Sequence, residues 1–129
     1  LRAQSMGNYG ESWNYHTEEA EQLKFVEWLE AKNILYAHVP NGGKRTEITG
    51  ARLKKAGTKR GVPDLLIFDR PPKRPEVHSI AVEMKRQGGK SRVTAEQKRW
   101  MDELSKRGWG CHVAYGAYEA IKFMESMGF

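Results

Sequence analysis

Gly61-Val62-Pro63-Asp64-Leu65-Leu66-Ile67-Phe68 and Ser79-Ile80-Ala81-Val82-Glu83-Met84-Lys85-Arg86 decide how this chain folds. Each is an apolar, β-rich run of strand length, and the proline-rich break between them, Arg70-Pro71-Pro72-Lys73-Arg74-Pro75, cannot continue a strand ladder. The pattern predicts two antiparallel strands. Side chains alternate along a strand, so Ile80, Val82 and Met84 share one face while Ala81, Glu83 and Lys85 share the other. Burying a carboxylate and an ammonium costs several kcal/mol unless they are paired or bind an ion. Asp64, at the start of the first strand, falls beside them across the hairpin. Asp64 and Glu83 together make a hard oxygen site suited to Mg²⁺ or Mn²⁺, and Lys85 can hold a phosphate or orient an attacking water. Taken alone, the same residues also suit a structural Glu83–Lys85 pair on an exposed face, with Asp64 an ordinary residue after a turn.

The rest of the chain bears on that choice. With 129 residues the sequence has the length of one domain, residues 17–129, and residues 1–16 read as a cloning remnant and flexible lead. Lys and Arg outnumber Asp and Glu by 22 to 16, a net charge of +6, which favours a polyanionic partner such as nucleic acid. No apolar run approaches the ~18 residues of a membrane span and no signal peptide is evident, so no membrane association and an intracellular, cytoplasmic location are expected. The single cysteine, Cys111, excludes an internal disulfide and a cysteine-based zinc cluster, and reads as a packed core thiol. The four histidines show no metal-ligand spacing.

A helix capped by Thr17 carries Glu18 and Glu19 in its first turn, where the helix dipole favours acids. Its inward stripe is read as Glu18, Gln22, Phe25, Val26 and Leu29, with Glu19 and Glu21 solvated; Glu18 is either another solvated acid or part of a site. Asn33 closes this helix, Ile34–Val39 reads as a strand, and Pro40-Asn41-Gly42-Gly43 as a turn. The next segment, residues 44–60, has seven basic residues (Lys44, Arg45, Arg52, Lys54, Lys55, Lys59, Arg60) against one acid, Glu47. Its middle suits a short helix ended by Gly57, with Ile48, Ala51 and Leu53 available for packing. Leading directly into Asp64 and holding no aromatic residue, it favours tracking a duplex backbone over stacking single-stranded bases. A second long helix begins at Thr94, where Thr94 and Gln97 form a capping-box pattern. Its stripe is Gln97, Trp100, Met101 and Leu104. Gln97 therefore serves either as a cap or as a residue reaching the acid cluster. A short strand from Cys111 to Tyr115 and a helix from Ala117 to Met127, facing the sheet with Ala120, Ile121 and Met124, complete the order helix, strand, helix, strand, strand, helix, strand, helix.

With Gly61-Val62-Pro63-Asp64, Glu83-Met84-Lys85 and both flanking helices, the chain resembles the PD-(D/E)xK nucleases, and within them the virus-type replication-repair nuclease (VRR-NUC) domain. The similarity runs from about Glu18 to the C-terminus and includes Glu18 to Gln22, His38-Val39-Pro40-Asn41-Gly42-Gly43, Gly50 to Gly57, and Thr94-Ala95-Glu96-Gln97 with Trp100. It implies an α/β, restriction-endonuclease-like core with a mixed central sheet flanked by helices. It also implies Asp64, Glu83 and the Met84 backbone carbonyl as metal ligands, Lys85 as the catalytic lysine, Glu18 as the first-helix acid that could bring a second ion, and Gln97 as the helix glutamine. Small stand-alone members of the family look like homodimeric resolvases that cut branched DNA such as Holliday junctions, in phage or their bacterial hosts.

The expectation is thus a Mg²⁺- or Mn²⁺-dependent, structure-selective DNA endonuclease, a homodimer, with Lys44, Arg45, Lys54, Lys55, Lys59 and Arg60 on the DNA backbone. Two rivals remain: a nucleic-acid-binding module with a vestigial nuclease site, and a metal-dependent phosphoesterase acting on nucleotides or other small substrates.

Overall fold

A computed structural model describes residues 17–40 and 47–129. Its elements, in chain order, are α1 (Glu18–Ala31), β1 (Tyr36–His38), α2 (Glu47–Lys55), β2 (Leu65–Ile67), β3 (Ser79–Lys85), α3 (Ala95–Lys106), β4 (Trp109–Tyr115) and α4 (Ala117–Ser126). This is the order the sequence predicts. β1 is shorter than expected, three residues in place of the Ile34–Val39 run. The turn at residues 41–43, and Lys44 and Arg45, lie outside the described residues, as do residues 1–16.

The four strands form one mixed sheet in the order β1-β2-β3-β4. β2 and β3 pair antiparallel with Leu65 opposite Val82 and Ile67 opposite Ile80, as the proline-rich break requires. β4 returns parallel to β3 after crossing through α3, pairing Glu83 with Val113 and Lys85 with Tyr115. Ile80, Val82 and Met84 face the main core, where Phe25 and Leu29 of α1 and Ala120 and Met124 of α4 are fully buried against them. α3 lies on the opposite face, the face of Glu83 and Lys85, and packs against β4.

The helix ends follow local chemistry. Thr17 Oγ1 accepts from the Ala20 N–H at 3.1 Å, and Asn33 takes φ of 57° just past the end of α1, a left-handed conformation that asparagine tolerates. At α3, Thr94 Oγ1 accepts from the Gln97 N–H while the Gln97 side chain accepts from the Thr94 N–H, completing the predicted capping box.

Three expectations are corrected. Glu21, read as solvated, is only 1% exposed: its Oε1 accepts the Ala117 N–H at 2.7 Å and its Oε2 pairs with Lys24 Nζ at 3.1 Å. The side chain supplies to the first turn of α4 the acceptor that its N-cap, Gly116, does not have. The stripe of α3 (Gln97, Trp100, Met101, Leu104) does face the sheet, yet none of its residues is buried, because α3 rests on the edge strand β4 and is covered from one side. Cys111 is half-buried rather than part of the main core, with its Sγ 3.5 Å from the Met101 carbonyl oxygen, because it points to the α3 face.

Candidate active site

The β2–β3 register places Asp64, one residue before β2, opposite Glu83, and residues directly opposite in a ladder point to the same face. Both carboxylates therefore meet at the C-terminal end of β3. Asp64 Oδ2 accepts the Met84 N–H at 2.7 Å, which ties the acid to the strand it faces. Glu83 is 2% exposed and Lys85 5% exposed. On the α3 side, Gln97 joins these two: its Nε2 donates to Glu83 Oε2 at 2.9 Å and its Oε1 accepts from Lys85 Nζ at 3.1 Å. Lys85 Nζ is also 3.6 Å from Glu83 Oε2. Because Gln97 Oε1 also takes the Thr94 N–H at 2.9 Å, the two sequence readings of Gln97, cap and site residue, describe one side chain doing both.

Beside these residues opens a cleft of about 660 Å³ lined by Glu18, Glu19, Gln22, Leu23, His38, Pro40, Gly61, Asp64, Glu83 and Gln97. Gly61 has φ of +85°, and a Cβ there would lie 2.7 Å from Glu96 Cβ and 2.9 Å from the Gln97 backbone nitrogen. Only glycine lets the loop before Asp64 pass this close to the start of α3.

The electrostatics follow from crowding two acids in a half-dry place. Burial, reinforced by the neighbouring Asp64 charge, pushes the Glu83 carboxyl up to about 8, against an opposing pull from Lys85. Burial likewise raises Asp64, offset in part by the Met84 N–H and by hydrogen bonding with Glu83. Burial and the Asp64 charge also raise Glu18. Like charges at this spacing cannot both ionise cheaply, so the metal-free pair retains a proton at neutral pH. Among the described residues no donor reaches the buried Glu83 Oε1. Asp64 and Glu83 would offer a divalent cation two hard carboxylates there, one with an oxygen that no described donor uses. Among the described residues no three His, Cys, Asp or Glu side chains cluster tightly enough to hold a metal by themselves. Two carboxylates nevertheless suit Mg²⁺, which keeps several waters and takes further oxygens from substrate phosphates.

The structure thus gathers Asp64, Glu83, Lys85 and Gln97, and sets Glu18 at the cleft wall without bringing it into a three-carboxylate cluster. The Met84 amide enters the site through its bond to Asp64. Lys54, Lys55, Lys59 and Arg60 are exposed on α2 and the loop that follows it. Lys59 faces Arg99, Trp100, Glu103, Leu104 and Arg107 of the α3 region across a second groove of about 440 Å³. Sequence reasoning missed His38 as a member of the cleft. His38 Nδ1 lies 2.9 Å from the Asp64 carbonyl oxygen, a contact made by the β1–β2 register across 26 residues; the sequence marks His38 only as the start of the His38–Gly43 segment of the resemblance, with no site role.

The family model of the VRR-NUC domain matches residues 16–118. No curated protein matches the chain. Among solved structures, a VRR_NUC domain protein superposes with a TM-score of 0.69 at 26% identity, over 87% of this chain and 90% of that one. No helix among the described residues is long and apolar enough to cross a membrane. With most of its length matched by the family model and the same fold in a solved member, the chain belongs to the VRR-NUC domain family, a nuclease family that uses divalent metal ions and acts on DNA.

Proposed function

We propose that this protein is a Mg²⁺- or Mn²⁺-dependent endodeoxyribonuclease selective for branched DNA such as Holliday junctions. The observation that carries the reading is the Gln97 bridge, which ties the buried Lys85 to Glu83 where Glu83, Asp64 and Gln97 line an open cleft. Asp64, Glu83 and the Met84 backbone carbonyl would hold the ion, and Glu18, on the cleft wall, would tune it or serve a second one. Bound there, the ion supplies Lewis acidity toward the phosphodiester and lowers the pKa of water at the site.

The protein's own residues do the positioning. Met84 N–H fixes one oxygen of Asp64, and Gln97 Nε2 fixes one oxygen of Glu83, so both carboxylates keep their rotamers as the substrate arrives. Gln97 Oε1 holds the Lys85 ammonium, which orients the attacking water and stands where negative charge grows on the phosphorus centre. Burial strengthens that electrostatic contribution, since few waters screen it. The exposed cations Lys54, Lys55, Lys59 and Arg60, and in the undescribed segment Lys44 and Arg45, contact the DNA backbone. A homodimer would present two such sites to the two strands of a symmetric junction.

The test is cleavage by purified Glu83→Ala and Lys85→Ala proteins. Each is expected to lose cleavage while remaining folded and retaining salt-dependent DNA binding. Retained cleavage by Glu83→Ala would refute the assigned site.

A further inference from the structure

We propose that His38 is a positioning residue for Asp64, acting through Nδ1 rather than through the Nε2 edge of its ring. The inference rests on the nuclease reading of the cleft. His38 ends β1, is exposed and lines the cleft, the position in which a histidine is readily taken for an acid or base. Its hydrogen bonding assigns it other work.

The Asp64 carbonyl oxygen receives the Val39 N–H at 2.8 Å and lies 2.9 Å from His38 Nδ1. A carbonyl oxygen only accepts, so the Nδ1 contact requires a hydrogen on Nδ1. In the neutral ring this fixes the tautomer and leaves Nε2 without a proton. The Gln22 amide nitrogen is 3.2 Å from the same Nδ1. Nδ1 has one hydrogen, so a half-turn of that amide, which exchanges its two ends without moving the chain, presents an acceptor that shares this hydrogen in a three-centre bond in place of a second donor.

Asp64 lies one residue before β2, where the pairing of that strand begins. It is held by three donors: Val39 N–H and His38 Nδ1–H on its carbonyl oxygen, and Met84 N–H on its carboxylate. Gln22 stands one helical turn after Glu18 on α1, so the Gln22–His38–Asp64 contacts tie the helix wall of the cleft to the carboxylate on its floor. Partners of this kind around a metal ligand typically change metal affinity 10- to 100-fold when removed.

Two substitutions separate the ring's two nitrogens. His38→Asn keeps an N–H donor at the position of Nδ1 and deletes Nε2. His38→Gln places its amide near the position of Nε2 and deletes the donor at Nδ1. Mn²⁺ binding to the full chain is measured by titration calorimetry and by the rise in Tm on adding Mn²⁺, and cleavage of a DNA that the unsubstituted protein cuts is resolved into kcat and KM. His38→Asn is expected to bind Mn²⁺ within about 3-fold of the unsubstituted protein, and His38→Gln about 10-fold or more weakly, with lower kcat and unchanged KM. The reverse ranking would overturn the proposal, as would two variants equal to each other, whether both intact or both impaired. An unsubstituted protein that neither binds Mn²⁺ nor cuts DNA would refute the nuclease reading; one that does both while the variants rank otherwise would refute the role of His38 alone.

Discussion

Replacing Glu83 with Gln should stabilise the metal-free protein at pH 8 and leave it unchanged at pH 5. Glu83 ionises near its ordinary 4.5 in the unfolded chain, whereas burial and the Asp64 charge hold it at about 8 in the folded one. Between those values the native state keeps a proton that the unfolded state has released. Stability is therefore fully present below pH 4.5 and falls as pH rises toward 8, at up to about 1.4 kcal/mol per pH unit for one group. From pH 5 to pH 8 the full slope amounts to up to about 4 kcal/mol, whichever of the two carboxylates holds the proton. For a chain of this size that is a fall of up to roughly 12–20 °C in Tm. Glu83→Gln removes the titration, while its amide oxygen still accepts from Gln97 Nε2, which now lies 2.9 Å from Glu83 Oε2. Thermal unfolding of both proteins in a chelating buffer at pH 5, 6, 7 and 8 measures the difference, and titrating groups away from Glu18, Asp64 and Glu83 cancel between them. The two Tm curves should meet at pH 5 and diverge toward pH 8 with the variant higher. Mn²⁺ at pH 8 should close the gap by raising the unsubstituted protein. Parallel curves would refute the account of a crowded, proton-sharing carboxylate pair.

Gly61→Ala should cost about 1–3 kcal/mol, because φ is +85° and the new Cβ would meet Glu96 Cβ at 2.7 Å. It should also lower cleavage more than its stability loss explains, since the loop it displaces bears on Gln97; unchanged Tm and cleavage would contradict the packing. Glu21→Ala removes the buried acceptor of the Ala117 N–H and should lower stability by about 1–2 kcal/mol, seen as a lower midpoint in urea, whereas a midpoint within error of the parent would contradict the capping role.

Much of the fold was legible because its signals are local. Thr17 and Thr94 mark helix starts through their own side chains, Asn33 and Gly57 take the left-handed conformations that end helices, and the prolines after Phe68 force the hairpin that aligns Asp64 with Glu83. The acid–lysine constellation was legible for the same reason, since period 2 places Glu83 and Lys85 on one face. What was not legible came from contacts between distant segments. Glu21 looks like any first-turn acid, and only the docking of α1 against α4, 96 residues away, turns it into a buried cap. His38 joins the site through sheet register, and the shallow covering of α3 depends on β4 being an edge strand. For Gln97, two sequence readings that looked like rivals are compatible, because one amide offers both an acceptor and a donor.

The most direct test of the central claim is cleavage of labelled four-way junction, flap, single-stranded and linear duplex DNA with Mg²⁺ or Mn²⁺, beside an Asp64→Ala control. Symmetric nicking of the junction, dependent on the metal and lost in Asp64→Ala, is the predicted result. Failure to cut any of these DNAs, with binding intact in both proteins, would contradict it and leave a DNA-binding module built on a silent nuclease fold.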